Sequence, residues 1–354
     1  MKSLGNMLPI PTCLILIQGQ TCLKKLWGFL DFHLLRKKLP LSSTKMFLRI
    51  WWIMQSNPTC YVTSRHYFCP IYPAIPGYDT FKGLKMHCHD FRDPKSLKDI
   101  ASLALVGAGP SGQDLAVELS KHVEKIYLVV KTGSKTKMGA LPQNVVRMFD
   151  PKEFTQEGIL LTSGDTVKVD AVMLCTGYHY AFPFLSPECG ITVERQRISP
   201  LYKHCVHVRY PTMFFIGVVS TVLPFVLFHF QMEFCTRLLS TKGETKLPSI
   251  EEMNQDSEQE LSRRLAMGWP EHYYHRMAEL QWDYMDDLAS LAGVESFSPV
   301  LKKLYQHVGG WRMIDLTSYK NRKYRLLNKE EFVDITGDGR VPNPGLIPPN
   351  DFRS

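Results

Sequence analysis

No segment of this sequence stays apolar for the ~20 residues that a bilayer-spanning helix requires. The best candidate, Val222 to Phe230, is short and carries Pro224 and His229, so it reads as a buried segment. No CxxC pair occurs among the nine cysteines, and their number is odd. That fits neither a disulfide framework nor a zinc ribbon and makes a reducing compartment the default. Repeats and low-complexity tracts are absent. Charged residues make up 21% and hydrophobic residues 44% of the 354, close to ordinary globular usage, which excludes disorder, collagen and coiled coil as descriptions of the whole. A formal charge of +8 attracts polyanions, from nucleic acid to phosphate-bearing cofactors, without choosing between them. Lysines and aromatics are not arranged in a nucleic-acid module, so no nucleic-acid partner is expected.

Lys2 followed by Met7 to Ile17 weakly imitates a signal-peptide core, but Pro9 and Pro11 interrupt it and no clean cleavage site follows. The expected location is cytoplasmic, with peripheral association with the endoplasmic reticulum as the alternative. Residues 1–62 show neither sustained alternation nor a capped helical stripe and receive no fold assignment. Pro70, Pro73, Pro76 and Gly77 then mark an extended loop. Beyond it, Ser102 to Val106, Lys125 to Val130, Asp170 to Leu174 and Met213 to Gly217 read as strands. Gly112 to Ser120 reads as a helix, and residues 250–290 are helical in composition with a break at Gly268 to Pro270. Residues 336–354 form a polar tail.

The sharpest feature is GAGPSG: Gly107, Ala108, Gly109, Pro110, Ser111 and Gly112, directly after one strand and before a helix that leads to another. In such a turn the first glycine permits the tight bend and the second lets backbone approach a pyrophosphate. The third lets helix pack close to strand, with the helix N-terminus aimed at the phosphates. Ser111 adds a hydroxyl to those donors. At the end of the second strand, an NADH site carries an acid for the ribose 2′-hydroxyl. Here stand Lys131, Lys135 and Lys137 and no acid, which favours the 2′-phosphate of NADPH, with Lys131 and Lys135 as its partners. The histidines and cysteines at 87–89 and 204–207 are too closely spaced to share a metal, so none is expected.

Upstream of the glycine turn, Phe81, Gly83, His87 and Phe91 stand in FKGLKMHCHDFR; downstream stands CTGY at Cys175 to Tyr178. In this combination and order the sequence resembles the flavin-containing monooxygenase family, its shorter invertebrate members most of all. The first motif is similar to the family's FxGxxxHxxx(Y/F) signature, GAGPSG to its NADPH-side glycine loop, and CTGY to its (A/C)TGY element. Further agreement comes from PLYKH at Pro200 to His204, PTMFFIG at Pro211 to Gly217, Gln231, and LPSIEEM at Leu247 to Met253. Phe91 and Arg92 stand where Baeyer-Villiger relatives carry Trp-Pro.

The resemblance implies an α/β, Rossmann-like flavoprotein fold with two dinucleotide-binding domains. Residues 81–180 would form the NADPH-binding domain, and residues 63–80 and 181–335 a remnant of the FAD domain. It further implies FAD and NADPH as cofactors, with Thr176, Gly177 and Gln231 joining the glycine turn as cofactor-binding residues. The activity implied is oxygenation of nitrogen or sulfur of small lipophilic amines or sulfides by dioxygen through a flavin hydroperoxide, as in an N,N-dimethylaniline monooxygenase. A homodimer is the assembly considered. Residues 1–62 contain no counterpart of the family's first GxGxxG, so the first FAD βαβ unit is expected to be missing. Either a foreign first exon or a lost FAD half-site accounts for that. The alternative function is an inactive NADP(H)-binding fragment or interaction protein without FAD.

Overall fold

Ser102 to Val106 and Ala171 to Leu174 lie almost wholly out of solvent, as suits strands covered on both faces. They occupy adjacent places in a sheet of the computed structural model, which describes residues 61–63, 68–130, 138–240 and 247–337. Along the chain, β1 (Tyr61–Thr63) and β2 (Cys69–Pro70) precede β3 (Leu84–His87) and β4 (Ser102–Val106). Helix α1 (Pro110–Leu119) leads to β5 (Lys125–Val130) and β6 (Val145–Phe149). Next come β7 (Pro151–Phe154), β8 (Gly158–Leu161), β9 (Thr166–Lys168), β10 (Ala171–Leu174) and β11 (Tyr178–His179). Five short strands follow: β12 (Thr192–Glu194), β13 (Arg197–Ser199), β14 (Leu201–Tyr202), β15 (Val206–His207) and β16 (Phe214–Ile216). Helices α2 (Pro224–Ser240), α3 (Ile250–Ala266), α4 (Gln281–Ala292) and α5 (Pro299–Ile314), then β17 (Tyr324–Leu326) and β18 (Phe332–Asp334), complete the described chain.

The described residues divide into two compact units. The parallel-sheet unit takes 68–130, 138–183, 265–270 and 297–337. Its five strands run parallel in the order β3-β10-β4-β5-β6. The two-residue period of a strand sorts their side chains between the faces. Leu103, Leu105, Ile126, Leu128, Ala171 and Met173 pack with Ala116 and Leu119 of α1. Ala104, Val106, Val172 and Leu174 pack instead with Phe154, Ile159 and Leu161 of the antiparallel meander β7-β8-β9. Helix α1 begins two residues ahead of the expected Gly112. Proline at its first position lacks the N–H that a helix start leaves unpaired, and its fixed φ already suits the turn. The meander has no counterpart in the sequence reading, since its strands are only three or four residues long and Gly158 punctuates them.

In the segment ahead of β6, the backbone of Gly139 and Ala140 pairs with the end of α5: Gly139 N donates to Arg312 O and Ala140 N to Ile314 O. A Cβ on Gly139 would come within 2.5 Å of Asp315 N, so the pairing requires glycine there. This contact lies within the parallel-sheet unit.

The helical unit takes 61–63, 184–240, 247–264 and 271–296. Its sheet has the order β1-β16-β15-β14, with β1 and β16 parallel and the rest antiparallel. Leu227, Phe230 and Phe234 of α2 and Trp282, Met285 and Leu288 of α4 are buried at helical spacing, giving each helix an apolar stripe. The buried reading of Val222 to Phe230 thus becomes the first part of α2. Among the described residues no helix is long and apolar enough to cross a membrane.

Candidate functional site

Each glycine of the turn between β4 and α1 has a different physical job. Gly107 adopts φ +108°, and a Cβ there would lie 2.6 Å from Cys175 O. At Gly112 a Cβ would lie 1.9 Å from Gly107 O, so helix and strand approach as closely as only glycine permits. Gly109 has nothing within 4 Å of its would-be Cβ and an ordinary φ of −64°. Its backbone therefore faces open space. Gly109 is also the N-cap of α1, and no side chain caps that helix. Pro110 and Ser111 are exposed beside it, while Ala108 is buried. The geometry suits an anion: a helix start with uncapped N–H groups and a positive dipole end, beside an unobstructed backbone.

Gln113, missed by sequence reasoning, fastens this turn. It is 3% exposed, donates from Nε2 to Ala108 O at 2.9 Å and accepts at Oε1 from Arg312 Nη2 at 2.7 Å. Lys320 pairs with Asp114 one residue on, at 2.7 Å. No local sequence signal links Gln113 to an arginine so distant in the chain. Lys131 and Lys135 lie outside the described residues.

Of the other motif residues, His87, Thr176 and Gly177 lie at the carboxyl ends of the neighbouring strands β3 and β10, where open α/β sheets bind ligands, whereas Phe81 and Gly83 precede β3 at its amino end. Phe81 is buried, and Gly83 is forced: a Cβ there would meet Asp170 O at 2.3 Å and the Phe81 ring at 2.4 Å. Phe91 packs on the cluster beneath α1. His87, at the end of β3, is 1% exposed; its Nδ1 accepts from His89 N at 3.0 Å, which puts the ring proton on Nε2. That Nε2 is buried without a hydrogen-bond partner among the described residues, and the ring stands edge-on to Tyr178 at 5.1 Å. Thr176 donates to Ile71 O, and Gly177, at φ +86°, accepts from Ile71 N at 2.9 Å. Both close the loop that follows β10 onto residues 69–71. The motif holds the edge strand β3 to β10 and leaves a buried polar ring atom at the carboxyl end of β3.

Gln231 sits in the helical unit, fully buried in α2. Its Oε1 accepts from Gly217 N at 3.0 Å and its Nε2 donates to Tyr284 Oη at 3.0 Å, while Tyr284 donates to Lys203 O at 2.6 Å. The amide is thus committed at both ends to the unit's own backbone and core. Among the described residues no group of three or more metal-ligating side chains converges.

The sequence matches the flavin-binding monooxygenase-like family over residues 58–141 and 141–306. The chain belongs to that family. Flavin-containing monooxygenase FMO GS-OX5 of Arabidopsis thaliana is 30% identical over 253 residues, covering 70% of this chain and 54% of that protein. Senecionine N-oxygenase of Tyria jacobaeae is 29% identical over 288 residues, covering 77% and 59%. Among solved structures, S-allyl-L-cysteine S-oxygenase from Allium sativum matches with a TM-score of 0.67 at 28% identity, covering 75% of this chain and 60% of that one. Tmm from a Pelagibacter species matches with a TM-score of 0.65 at 22% identity, a likeness of fold alone. The expected flavoprotein fold is that of these neighbours, and the expected pair of FAD and NADPH is that of the family. The chain spans about half the length of the curated relatives it matches.

Proposed function

We propose that this chain serves an NADPH- and FAD-dependent monooxygenation of nitrogen or sulfur in small lipophilic amines or sulfides. The observation that carries the reading is the glycine turn, whose three positions are respectively bent, open and closely packed as a dinucleotide diphosphate demands. The names of two relatives, an N-oxygenase and an S-oxygenase, support the two atom types. When bound, NADPH supplies a hydride to the flavin, which then activates dioxygen. Within this chain, the backbone of Gly107 to Gly112 holds the diphosphate, and Gln113 fixes that backbone through Ala108. Lys131 and Lys135 are assigned to the 2′-phosphate. Residues 81–180 act as the NADPH-binding domain, and 63–80 with 181–335 as the FAD-side remainder.

The fit extends to one diphosphate. Among the described residues no second strand-glycine-helix turn of this spacing occurs, so no residue is assigned to the FAD diphosphate. The protein's own contribution at this edge of the sheet is to bind, orient and exclude water, since the cofactors carry the hard chemistry.

The test is spectral and kinetic. Purified protein should show flavin absorbance and consume NADPH faster when a thioether or N,N-dimethylaniline is added, with oxygenated product formed in step. Colourless protein that still binds NADPH would overturn the monooxygenase reading in favour of a nicotinamide-nucleotide-binding protein without flavin.

A further inference from the structure

Two thiols stand side by side next to the glycine turn. The parallel register of β3 and β10 pairs His87 with Leu174, and Cys88 N donates to Leu174 O at 2.8 Å. Cys88 and Cys175 are therefore the next pair along, and both belong to the cluster beneath α1. Adjacent strands lie ~4.8 Å apart, inside the roughly 4.4–6.8 Å between Cα atoms that a disulfide spans. Both cysteines are free.

The pair is asymmetric. Cys88 is half-buried and Cys175 only 6% exposed, so Cys88 is the more accessible of the two. A hydrogen bond from Cys175 pulls the Cys88 thiol down to about 5 against the upward push of burial. Tyr178 Oη, at 3.7 Å, acts in the same downward direction. The same bond from the other side, with burial, holds Cys175 well above its usual range. Of the two thiols Cys88 is thus the more acidic, and the thiolate is the form that reacts.

We propose that Cys88 and Cys175 form a peroxide-oxidised dithiol, in which Cys88 is the attacking thiolate and Cys175 the resolving thiol. In the first step the Cys88 thiolate attacks one oxygen of hydrogen peroxide. An S–O bond forms, the O–O bond breaks and hydroxide leaves; sulfur is oxidised to sulfenic acid and peroxide is reduced. In the second step Cys175 attacks the Cys88 sulfur. The S–S bond forms, the S–O bond breaks, and the departing hydroxide takes the Cys175 proton as water. This chemistry needs no bound nucleotide. Its product would sit directly under the turn, because Cys175 O lies against Gly107 and Cys175 Cβ lies 3.4 Å from a would-be Cβ on Gly112.

The experiment uses the full chain, reduced, then treated with a small excess of hydrogen peroxide, alkylated, digested and read by mass spectrometry. A cross-linked peptide joining Cys88 to Cys175, reversed by dithiothreitol, is the expected main product. In Cys175→Ser, Cys88 should instead be trapped by dimedone; in Cys88→Ser neither product should form. A measurement on unaltered protein guards against a variant that fails to fold. At about pH 6, iodoacetamide should modify Cys88 about tenfold faster than the half-buried Cys69 and Cys189. The proposal is overturned if peroxide leaves Cys88 open to alkylation with no 88–175 link, or if Cys69 or Cys189 is modified first.

Discussion

The two units bury different chemistry. In the parallel-sheet unit the side chains of β4, β5 and β10 divide cleanly between two apolar clusters, and the buried polar residues are few: His87, Gln113 and Arg322. In the helical unit His204, His207, Gln231, Ser257, Arg264, His275 and Gln281 are all buried. There the core is held by polar pairings. His275 Nε2 accepts from Ile198 N at 3.0 Å, so its Nδ1–H donates to His204 Nδ1, also at 3.0 Å. Arg264, 2% exposed on its side chain, donates to Glu260 at 2.6 Å and to Arg276 O. A parallel sheet wrapped on both faces specifies itself by shape and hydrophobicity, whereas short strands and helices in the second unit depend on hydrogen bonds that tolerate no orphaned partner. The first kind of core should fail by steric insult and the second by protonation.

The largest effect is expected at Gly112. A valine there would place Cβ 1.9 Å from Gly107 O, a backbone atom that cannot swing aside. The loss should reach or exceed the ~3 kcal/mol upper range for overpacking, read from urea unfolding. Amide exchange should rise across residues 102–130 and stay unchanged in α4. Equal protection in both would contradict the close helix-strand approach.

A smaller effect separates the units by pH. Burial, followed by the nearby His275, Arg264, Lys203 and Arg197, holds His204 well below its usual range, and burial also lowers His207. The unfolded chain takes up a proton near the ordinary value of ~6.5 that the folded unit refuses. Stability from this source is therefore complete above that pH and is lost as pH falls through it. The melting temperature should drop between about pH 7.5 and about pH 5.5. His204→Asn, whose side-chain oxygen can still accept from His275, should flatten that slope. Parallel slopes for the two proteins would count against a buried neutral His204.

The contrast also explains what the sequence revealed. Ser102 to Val106 and Lys125 to Val130 were readable as strands because they are apolar runs of five and six residues flanking a glycine turn. The roles of Gly107, Gly109 and Gly112 were readable because backbone sterics act over six positions of chain. Gln113 and Arg312 were not, since their bond joins residues 199 apart and neither type is unusual where it stands. The pairing of Cys88 with Cys175 was hidden likewise. It follows from strand order, β3 beside β10, which adjacent sequence does not encode. Gln231 was singled out by resemblance, but its two hydrogen bonds inside the helical unit come only with the packing of α2. The short meander strands β7 to β9 carry too little periodicity to be read in advance.

The most direct test of the nucleotide cradle uses the one glycine of the turn that the fold does not need. Gly109 has an ordinary φ and no atom within 4 Å of a would-be Cβ, so Gly109→Leu should melt like the unaltered protein. Its side chain would occupy the space where a diphosphate approaches the backbone, and NADPH affinity measured by titration should fall about tenfold or more, ~1.4 kcal/mol. Undiminished NADPH binding by a fully folded Gly109→Leu protein would contradict the account.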